Sequence, residues 1–168
     1  MSRPFRLISG AISAALAAVL LSCFPYSLTS GGLDKSLKTV AVLPFENRTT
    51  SAGLERELAE LISAEMRKMG RKDAPEATAH ITVSGTITRY DLDIPVAISA
   101  DPTRGVGTRR KLEVSIDVTV TNNVKNTTLF KRAIMQPGEY AEGGELTGRR
   151  EALVKIVQEL VRGIQSQW

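Results

Sequence analysis

Alternating apolar and polar residues mark the clearest strand of the chain, over residues 112–121. Apolar side chains occupy every second position there, and Glu, Ser, Asp and Thr lie between them. Because successive side chains of a strand point to opposite faces, this pattern predicts a half-buried strand with one wet face. A similar alternation over residues 81–87 changes phase after Arg89, which predicts a second strand with a bulge or bend. Residues 127–136 follow a polar turn and predict a hairpin partner that stops at Pro137.

Two other segments show the 3.6-residue period of an amphipathic helix. Over residues 54–69, acidic residues occupy the first turn and basic residues the last, an arrangement that suits the helix dipole. Ser51 is placed as an N-cap, and Gly70 is a candidate for the position just after the C-terminus. The same spacing over residues 153–164 predicts a second helix after a Gly-rich loop over residues 137–148.

A short apolar run over residues 37–45, closed by Pro44, predicts a buried strand ahead of the first helix. The order is therefore β-α-β-β-β-α. A right-handed crossover lays the second strand parallel to the first, and the remaining strands add by antiparallel hairpins. We expect an α/β (α+β) two-layer sandwich, with a mixed sheet of roughly four strands and both helices on one face. The other face is polar, suited either to water or to a polar wall.

The N-terminus has a different pattern. Arg3 and Arg6 precede an uncharged run over residues 7–21, which is shorter than the ~20 residues that span a bilayer as a helix. A basic start followed by a short apolar run is typical of a secretory signal. The run ends in Leu20-Leu21-Ser22-Cys23, which resembles the bacterial lipobox. In lipoproteins that thiol takes a diacylglyceryl group, the leader is cut before the cysteine, and the new amine is acylated.

Lipidation accounts for Cys23, the only cysteine of the chain. The alternative is an ordinary signal peptide with an incidental cysteine near its end. Three acyl chains, palmitate among them, are enough for stable attachment to a membrane without spanning it. By the sorting rule of Gram-negative lipoproteins, Phe24 in place of Asp favours the outer membrane, with the body facing the periplasm. We therefore predict a signal peptide over residues 1–22, a lipidated tether over 23–36 and one domain over 37–168.

The composition excludes several classes of function. The 168 residues are 42% hydrophobic and 24% charged, as in a globular protein. Without the leader, 20 basic residues face 18 acidic ones, and a net charge of +2 is too small to predict a nucleic-acid partner. A single cysteine and a single histidine exclude an intramolecular disulfide and a multi-histidine metal site. Neither a phosphate-binding Gly-rich motif nor a nucleophile constellation around His80 occurs, so we predict no enzyme and no cofactor.

One basic cluster is a candidate binding site. Arg104, Arg109, Arg110 and Lys111 lie in the Gly/Pro-marked connection between the second and third predicted strands. The planar fork of arginine binds phosphate through paired, charge-assisted hydrogen bonds, so a phosphate-bearing ligand is one interpretation. The other is a solvated loop whose charges only aid solubility.

Taken together, these features resemble the LptE family of lipopolysaccharide-assembly lipoproteins. The matching residues are Cys23 followed by Tyr26, the segment Pro44-Phe45-Glu46-Asn47-Arg48-Thr49, Gly53-Leu54-Glu55 at the start of a helix, and Ile81-Thr82-Val83-Ser84-Gly85-Thr86-Ile87. This sequence departs from the family at the residue after Cys23, which is more often Gly.

The resemblance implies a non-catalytic outer-membrane lipoprotein that plugs the lumen of the β-barrel LptD and assists its assembly. It also implies contact with lipopolysaccharide on its way to the outer leaflet. Two alternatives remain open. A peptidoglycan-synthase activator or a curli-secretion-type lipoprotein shares the strand that leads into Pro44-Phe45-Glu46-Asn47, and a lipid-anchored hydrolase is the third class.

Overall fold

Six strands and two α-helices form the described part of the chain, which covers residues 34, 36–95 and 109–166 of a computed structural model. A short 3-10 turn precedes the longest strands. The elements are β1 (Thr39–Val42), β2 (Glu46–Asn47), α1 (Leu54–Lys68), β3 (Lys72–Asp73), the 3-10 turn (Glu76–Thr78), β4 (Ile81–Pro95), β5 (Arg109–Asn122), β6 (Thr127–Ala141) and α2 (Glu145–Gln165).

The strands form one mixed sheet in the order β3-β1-β4-β5-β6, and β2 also pairs with β4. Strand β1 is parallel to both neighbours, whereas β4, β5 and β6 are antiparallel. At the centre of the sheet, Ile116 of β5 lies opposite Ile87 of β4 and Ile134 of β6. The predicted two-layer α/β class is confirmed. The sheet has six strands where roughly four were expected, because β2 and β3 span only two residues each.

Both helices cover the same face of the sheet, and the core lies between the two layers. Leu54, Leu58, Ile62 and Met66 of α1 are buried, as the helical spacing predicts. The alternating residues of β5 supply the opposite wall of the core. The fully buried large side chains are Leu54, Leu58, Ile62, Met66, Ile81, Ile87, Leu112, Ile116, Ile134, Leu153, Ile156 and Leu160. We call the other side of the sheet the open face. Among the described residues, neither helix has the length and apolar character needed to cross a bilayer.

Strand β4 changes phase where the sequence predicts it. The pairing with β5 shifts between Ile87 and Arg89, and again between Asp91 and Ile94. Each shift inserts an unpaired residue, as in a β-bulge, and so turns later side chains to the other face. As a result Tyr90 packs against the core.

Strand β6 continues past Pro137, where the sequence predicts its end. A proline removes one backbone donor, and an edge strand tolerates this when the lost N–H would face outward. Helix α2 also begins earlier than predicted, at Glu145, so the expected Gly-rich loop shrinks to residues 142–144. The strand and the helix then touch at two glycines, because a Cβ built on Gly138 would overlap the carbonyl of Gly148.

We expect Gly138→Ala to destabilise the fold by about 1–3 kcal/mol, the usual cost of overpacking. The added methyl meets backbone rather than a flexible side chain, so β6 and α2 must separate to accept it. The urea unfolding midpoint measures this effect. Ala133→Ser, at an exposed site of the same strand, is the control and should leave the midpoint nearly unchanged. Equal midpoints for the two variants would contradict the close packing.

Candidate functional site

The two ends of the long strands have different roles. Strand β1 is parallel to β4, so the chain enters the sheet beside Ile81, at what we call the entry end. The opposite end comprises the last residues of β4 and β6 and the first residues of β5 and α2. We call it the loop end, because Pro95 and Arg110 pair there on either side of the β4–β5 connection. Strand β4 has 15 residues, so the two ends lie roughly 45 Å apart at about 3.3 Å per residue.

The entry end holds His80, the only histidine of the chain. Its Nδ1 lies 3.1 Å from the backbone nitrogen of Lys38 and 3.0 Å from Oγ1 of Thr39. Its own backbone N–H donates to Oγ1 of Thr39 at 3.0 Å. The imidazole therefore fastens the start of β1 to the start of β4, which is a structural role.

The loop end receives the predicted basic cluster, and the strand divides it. Arg104 lies outside the described residues. Arg109 opens β5 opposite Ala141, so the strand begins within the segment that the sequence predicts as a loop. Arg110 lies on the helix-covered face, paired in register with Tyr140, whereas Lys111 lies on the open face.

Both described basic side chains have an acidic neighbour. Nη2 of Arg110 lies 3.7 Å from Oε1 of Glu142, a side chain that is 80% exposed. Nζ of Lys111 lies 3.8 Å from Oε2 of Glu113. Ion pairs as long as these, on partly exposed side chains, hold their partners weakly.

Two open depressions flank Leu92 at the loop end. The larger one, about 630 Å³, is lined by Thr50, Ser51, Arg89, Tyr90, Asp91, Leu92, Ile94 and Glu145. The smaller one, about 280 Å³, is lined by Leu92, Arg110, Tyr140, Glu142, Gly143 and Glu145. Leu92 is 43% exposed, and Leu146 on the first turn of α2 is 68% exposed. The loop end thus combines cations with exposed apolar side chains. The sequence did not lead us to predict the exposed apolar side chains at this end. The phase change in β4, which the sequence does show, was the signal that could have indicated them.

A hydrogen bond between two elements closes the floor of the larger depression. The hydroxyl of Tyr90 donates to Oε1 of Glu145 at 2.7 Å. Burial, and then the bond to the Glu145 carboxylate, raises the pKa of Tyr90 above its ordinary value. Behind this pair, Nη2 of Arg149 lies 3.0 Å from Oε2 of Glu57, and so α2 is joined to α1. These groups hold elements together; they do not form a nucleophile–base pair.

The raised pKa of Tyr90 predicts a loss of stability in alkali. The unfolded phenol loses its proton near pH 10, whereas the folded phenol keeps it to higher pH. The stabilisation is therefore complete below pH 10 and is lost as the pH rises above that value. Tyr90→Phe should lower the free energy of unfolding by about 0.5–1.5 kcal/mol at neutral pH and give a shallower alkaline decline. Urea unfolding between neutral and alkaline pH measures both effects, and identical alkaline slopes would refute the assignment.

Comparison with protein families decides the identity of the chain. A family model described as LptE, lipopolysaccharide-assembly, matches residues 37–168. The chain belongs to the LptE family. At the family level it is therefore a lipopolysaccharide-assembly lipoprotein of the cell envelope, in a family that is non-catalytic. The resemblance seen in the sequence is confirmed.

Solved structures agree with the LptE chain in fold alone. A hypothetical protein from Chlamydia trachomatis matches with a TM-score of 0.53 and 14% identity, over 77% of this chain and 96% of its own. A protein from Xanthomonas campestris matches with a TM-score of 0.52 and 11% identity, over 78% of this chain and 86% of its own. No curated protein sequence matches significantly.

The residues behind the LptE resemblance organise the segment before α1. Nδ2 of Asn47 donates to the carbonyl of Ser51 and to Oε2 of Glu55, both at 2.8 Å. Oδ1 of Asn47 accepts the backbone N–H of Thr49 at 2.9 Å and its hydroxyl at 2.7 Å. Ser51 is therefore not the N-cap that the sequence predicts. Gly53 occupies that position with a φ of 83°, a conformation that favours glycine.

Asn47→Ala removes four hydrogen bonds from this segment and should cost about 1–3 kcal/mol of stability. Thermal or urea unfolding measures the loss. Arg48→Ala is the matched control, because the exposed guanidinium of Arg48 bonds to the exposed Glu46, whereas its backbone N–H, which Ala keeps, donates to the carbonyl of Ile87. If both variants unfold at the wild-type midpoint, the Asn47 network contributes nothing and this account of the motif is wrong.

Proposed function

We propose that this LptE-family chain is an outer-membrane lipoprotein that plugs and helps to assemble an LptD barrel. In that position it assists the transport of lipopolysaccharide to the outer leaflet and its insertion there. The family match over residues 37–168 carries the proposal. This role is structural and requires neither catalysis nor a cofactor. The partners are the barrel, lipopolysaccharide and the membrane.

The proposed anchor is Cys23, acylated after residues 1–22 have been removed, with residues 23–36 as a tether. Two features of the entry end suit a tethered domain. Leu37 is buried at 3% exposure, and its carbonyl accepts a hydrogen bond from the guanidinium of Arg71. The chain is therefore fixed to the core within one residue of the tether, and motion of the tether need not loosen β1.

The open face suits the lumen of a barrel, which is polar and filled with water. Apart from Met135, the exposed side chains of β4, β5 and β6 on this face are small, hydroxylated or charged, and several of the charges are paired locally. Arg48 bonds to Glu46, which also accepts a hydrogen bond from the hydroxyl of Thr86 at 3.3 Å. A polar face whose charges are mostly paired can lie against a polar wall and bury few unpaired charges.

The loop end is the proposed lipopolysaccharide contact, through Arg104, Arg109, Arg110 and Lys111. Arg110 there lines a depression together with exposed Leu92, and lipid A likewise combines phosphates with acyl chains. The loop end lies at the opposite end of β4 from the entry end, where the proposed tether joins the domain.

Co-purification tests membership of the translocon. After extraction in mild detergent, the full-length chain should be recovered in near-equal amounts with a large barrel protein that mass spectrometry identifies as LptD. Asp117→Arg on the open face should reduce that recovery, whereas Arg56→Glu on α1 should not. Recovery of the lipoprotein alone, or with a penicillin-binding protein, would refute the proposal.

A further inference from the structure

Strand β6 forms one edge of the sheet, and its backbone alternates between two directions. Every second residue directs its backbone N–H and C=O groups toward β5. The residues between them direct these groups away from the sheet, and we call them the outward residues. The pairing with β5 is continuous from Arg109 opposite Ala141 to Val120 opposite Phe130, so the alternation holds through this stretch. The outward residues include Pro137, Glu139 and Ala141, because groups outside β5 form hydrogen bonds with their backbone atoms.

Helix α2 closes the C-terminal half of this edge. Nζ of Lys155 donates to the carbonyl of Pro137 at 3.0 Å, and the N–H of Glu139 donates to Oε2 of Glu151 at 3.3 Å. Lys155 and Glu151 also pair with each other at 2.6 Å. Since Pro137 has no N–H, no donor remains for a neighbouring strand at that residue. This half of the edge is protected against pairing.

Along the N-terminal half of the edge, α2 contacts side chains of the helix-covered face, such as Arg132, which pairs with Glu159, and not the outward backbone. By the same alternation, Lys131, Ala133 and Met135 are outward residues. All three side chains are exposed on the open face. Within the described residues, no hydrogen bond reaches the backbone of Ala133 or Met135 from the outer side. The apolar side chain of Met135 is 56% exposed and lies next to these outward backbone N–H and C=O groups.

We propose that residues 131–135 of β6 bind an extended, acidic strand of a partner protein by β-augmentation. In this mode, main-chain hydrogen bonds supply affinity and alternating side chains supply specificity. Residues 127–136 carry Lys131 and Arg132 and no acid. Arg132 already lies 3.9 Å from Oε1 of Glu159, a long ion pair on a side chain that is 59% exposed, so a second acid can still approach it. An antiparallel strand therefore needs an acidic residue opposite Lys131, a second one opposite Arg132, and apolar residues opposite Ile134 and Met135.

Charge argues against a second copy of this chain as the occupant. Two β6 strands pairing edge to edge would bring together two copies of Lys131 on a stretch that itself carries no acid, with Glu159 of α2 near each Arg132. Lysine on an edge strand is a known device against self-pairing. The same charges that disfavour a second copy favour an acidic strand.

The test uses the full-length lipoprotein in detergent micelles and a synthetic hexapeptide, acetyl-Thr-Val-Val-Thr-Glu-Glu-amide. Paired antiparallel, its two valines face Ile134 and Met135, and its two glutamates face Arg132 and Lys131. We expect binding with slowed hydrogen exchange at the amides of Ala133 and Met135, measured by NMR. A peptide with Lys in place of Glu, and one N-methylated at its second and fourth residues, should bind about tenfold more weakly or worse.

Two protein variants complete the test. Ala133→Pro removes an outward N–H at an edge position, where proline is tolerated, and should weaken binding by about tenfold or more. Ala133→Thr keeps the N–H and should bind as the wild type does. No binding of the acidic peptide, or binding that is equal for the Lys and N-methylated peptides, overturns the proposal. Protection of other amides in place of Ala133 and Met135 also overturns it. LptD co-purification is scored separately, so failure here leaves that proposal standing.

Discussion

Removing the acylation site is expected to transfer all of the protein from the membrane fraction to the soluble periplasm. The variant carries an ordinary cleavable leader followed directly by Phe24, so that no cysteine and no apolar leader remain in the product. The wild type should need detergent for its release. Burial of acyl chains contributes about 0.8 kcal/mol per CH₂, and nothing else in the mature chain is predicted to replace that contribution. Osmotic shock followed by immunoblotting measures the distribution.

Mass spectrometry and one further variant sharpen this prediction. The wild-type N-terminal peptide should begin at Cys23 and carry three acyl chains. Phe24→Asp should leave acylation intact and move the protein to the inner-membrane fraction, because Asp after the cysteine is the retention signal. An unmodified thiol, a retained leader, or membrane attachment of the chain that begins at Phe24 would each contradict the proposed anchor.

Replacing Arg104, Arg109 and Arg110 together by Ala is expected to weaken binding of lipopolysaccharide by about a hundredfold or more at low salt. Each arginine is proposed to make charge-assisted hydrogen bonds to phosphate, which contribute about 1.5–3 kcal/mol each. Wild-type affinity should fall as salt is added, and the affinity of the variant should depend much less on salt. Titration of the full-length protein in detergent with purified lipopolysaccharide measures both.

The control removes the same charge elsewhere. Lys72, Lys125 and Lys131 are exposed and lie away from the loop end, so their triple replacement by Ala should change affinity by less than about threefold. Unfolding midpoints must match between the two triple variants, which separates loss of binding from loss of fold. If the arginine variant keeps the wild-type affinity across the salt titration, the basic cluster does not bind lipopolysaccharide.

The long periodic elements could be predicted from the sequence because one physical rule fixes each of them. Alternation over β5 and helical spacing over α1 both report which face meets the core. Gly70 has a φ of 77° just past the C-terminus of α1, as its position after the helix predicts. The turn after β5 also matches, since Oδ1 of the buried Asn122 accepts the backbone N–H of Val124 and Lys125.

Other features depend on contacts that are distant in sequence. Strands β2 and β3 are two residues long, and they exist because β4 and β1 lie beside them. Past Pro137, β6 continues to pair with β5, and the side chain of Lys155, which lies 18 residues later, bonds to the carbonyl of Pro137.

The candidate site could also be predicted only in part, because its geometry depends on contacts that are distant in sequence. The basic residues were visible in the sequence, but their division between two faces depends on where β5 begins. Arg110 and Lys111 are adjacent in the chain and lie on opposite sides of the sheet. The position of Leu92 at the loop end and the hydrogen bond between Tyr90 and Glu145 depend on the two register shifts in β4 and on the early start of α2. Local patterns gave no means of locating the second shift.

Photocrosslinking in living cells tests the central claim most directly. A photoreactive residue is placed at Asp117 or Thr119 on the open face, or at Arg56 or Arg150 on the exposed sides of the helices, in the full-length lipidated protein. We predict a covalent adduct with LptD from at least one open-face position, absent when the barrel is depleted. If the folded, lipidated protein gives no LptD adduct from any of the four positions, the account of this chain as a barrel partner is wrong.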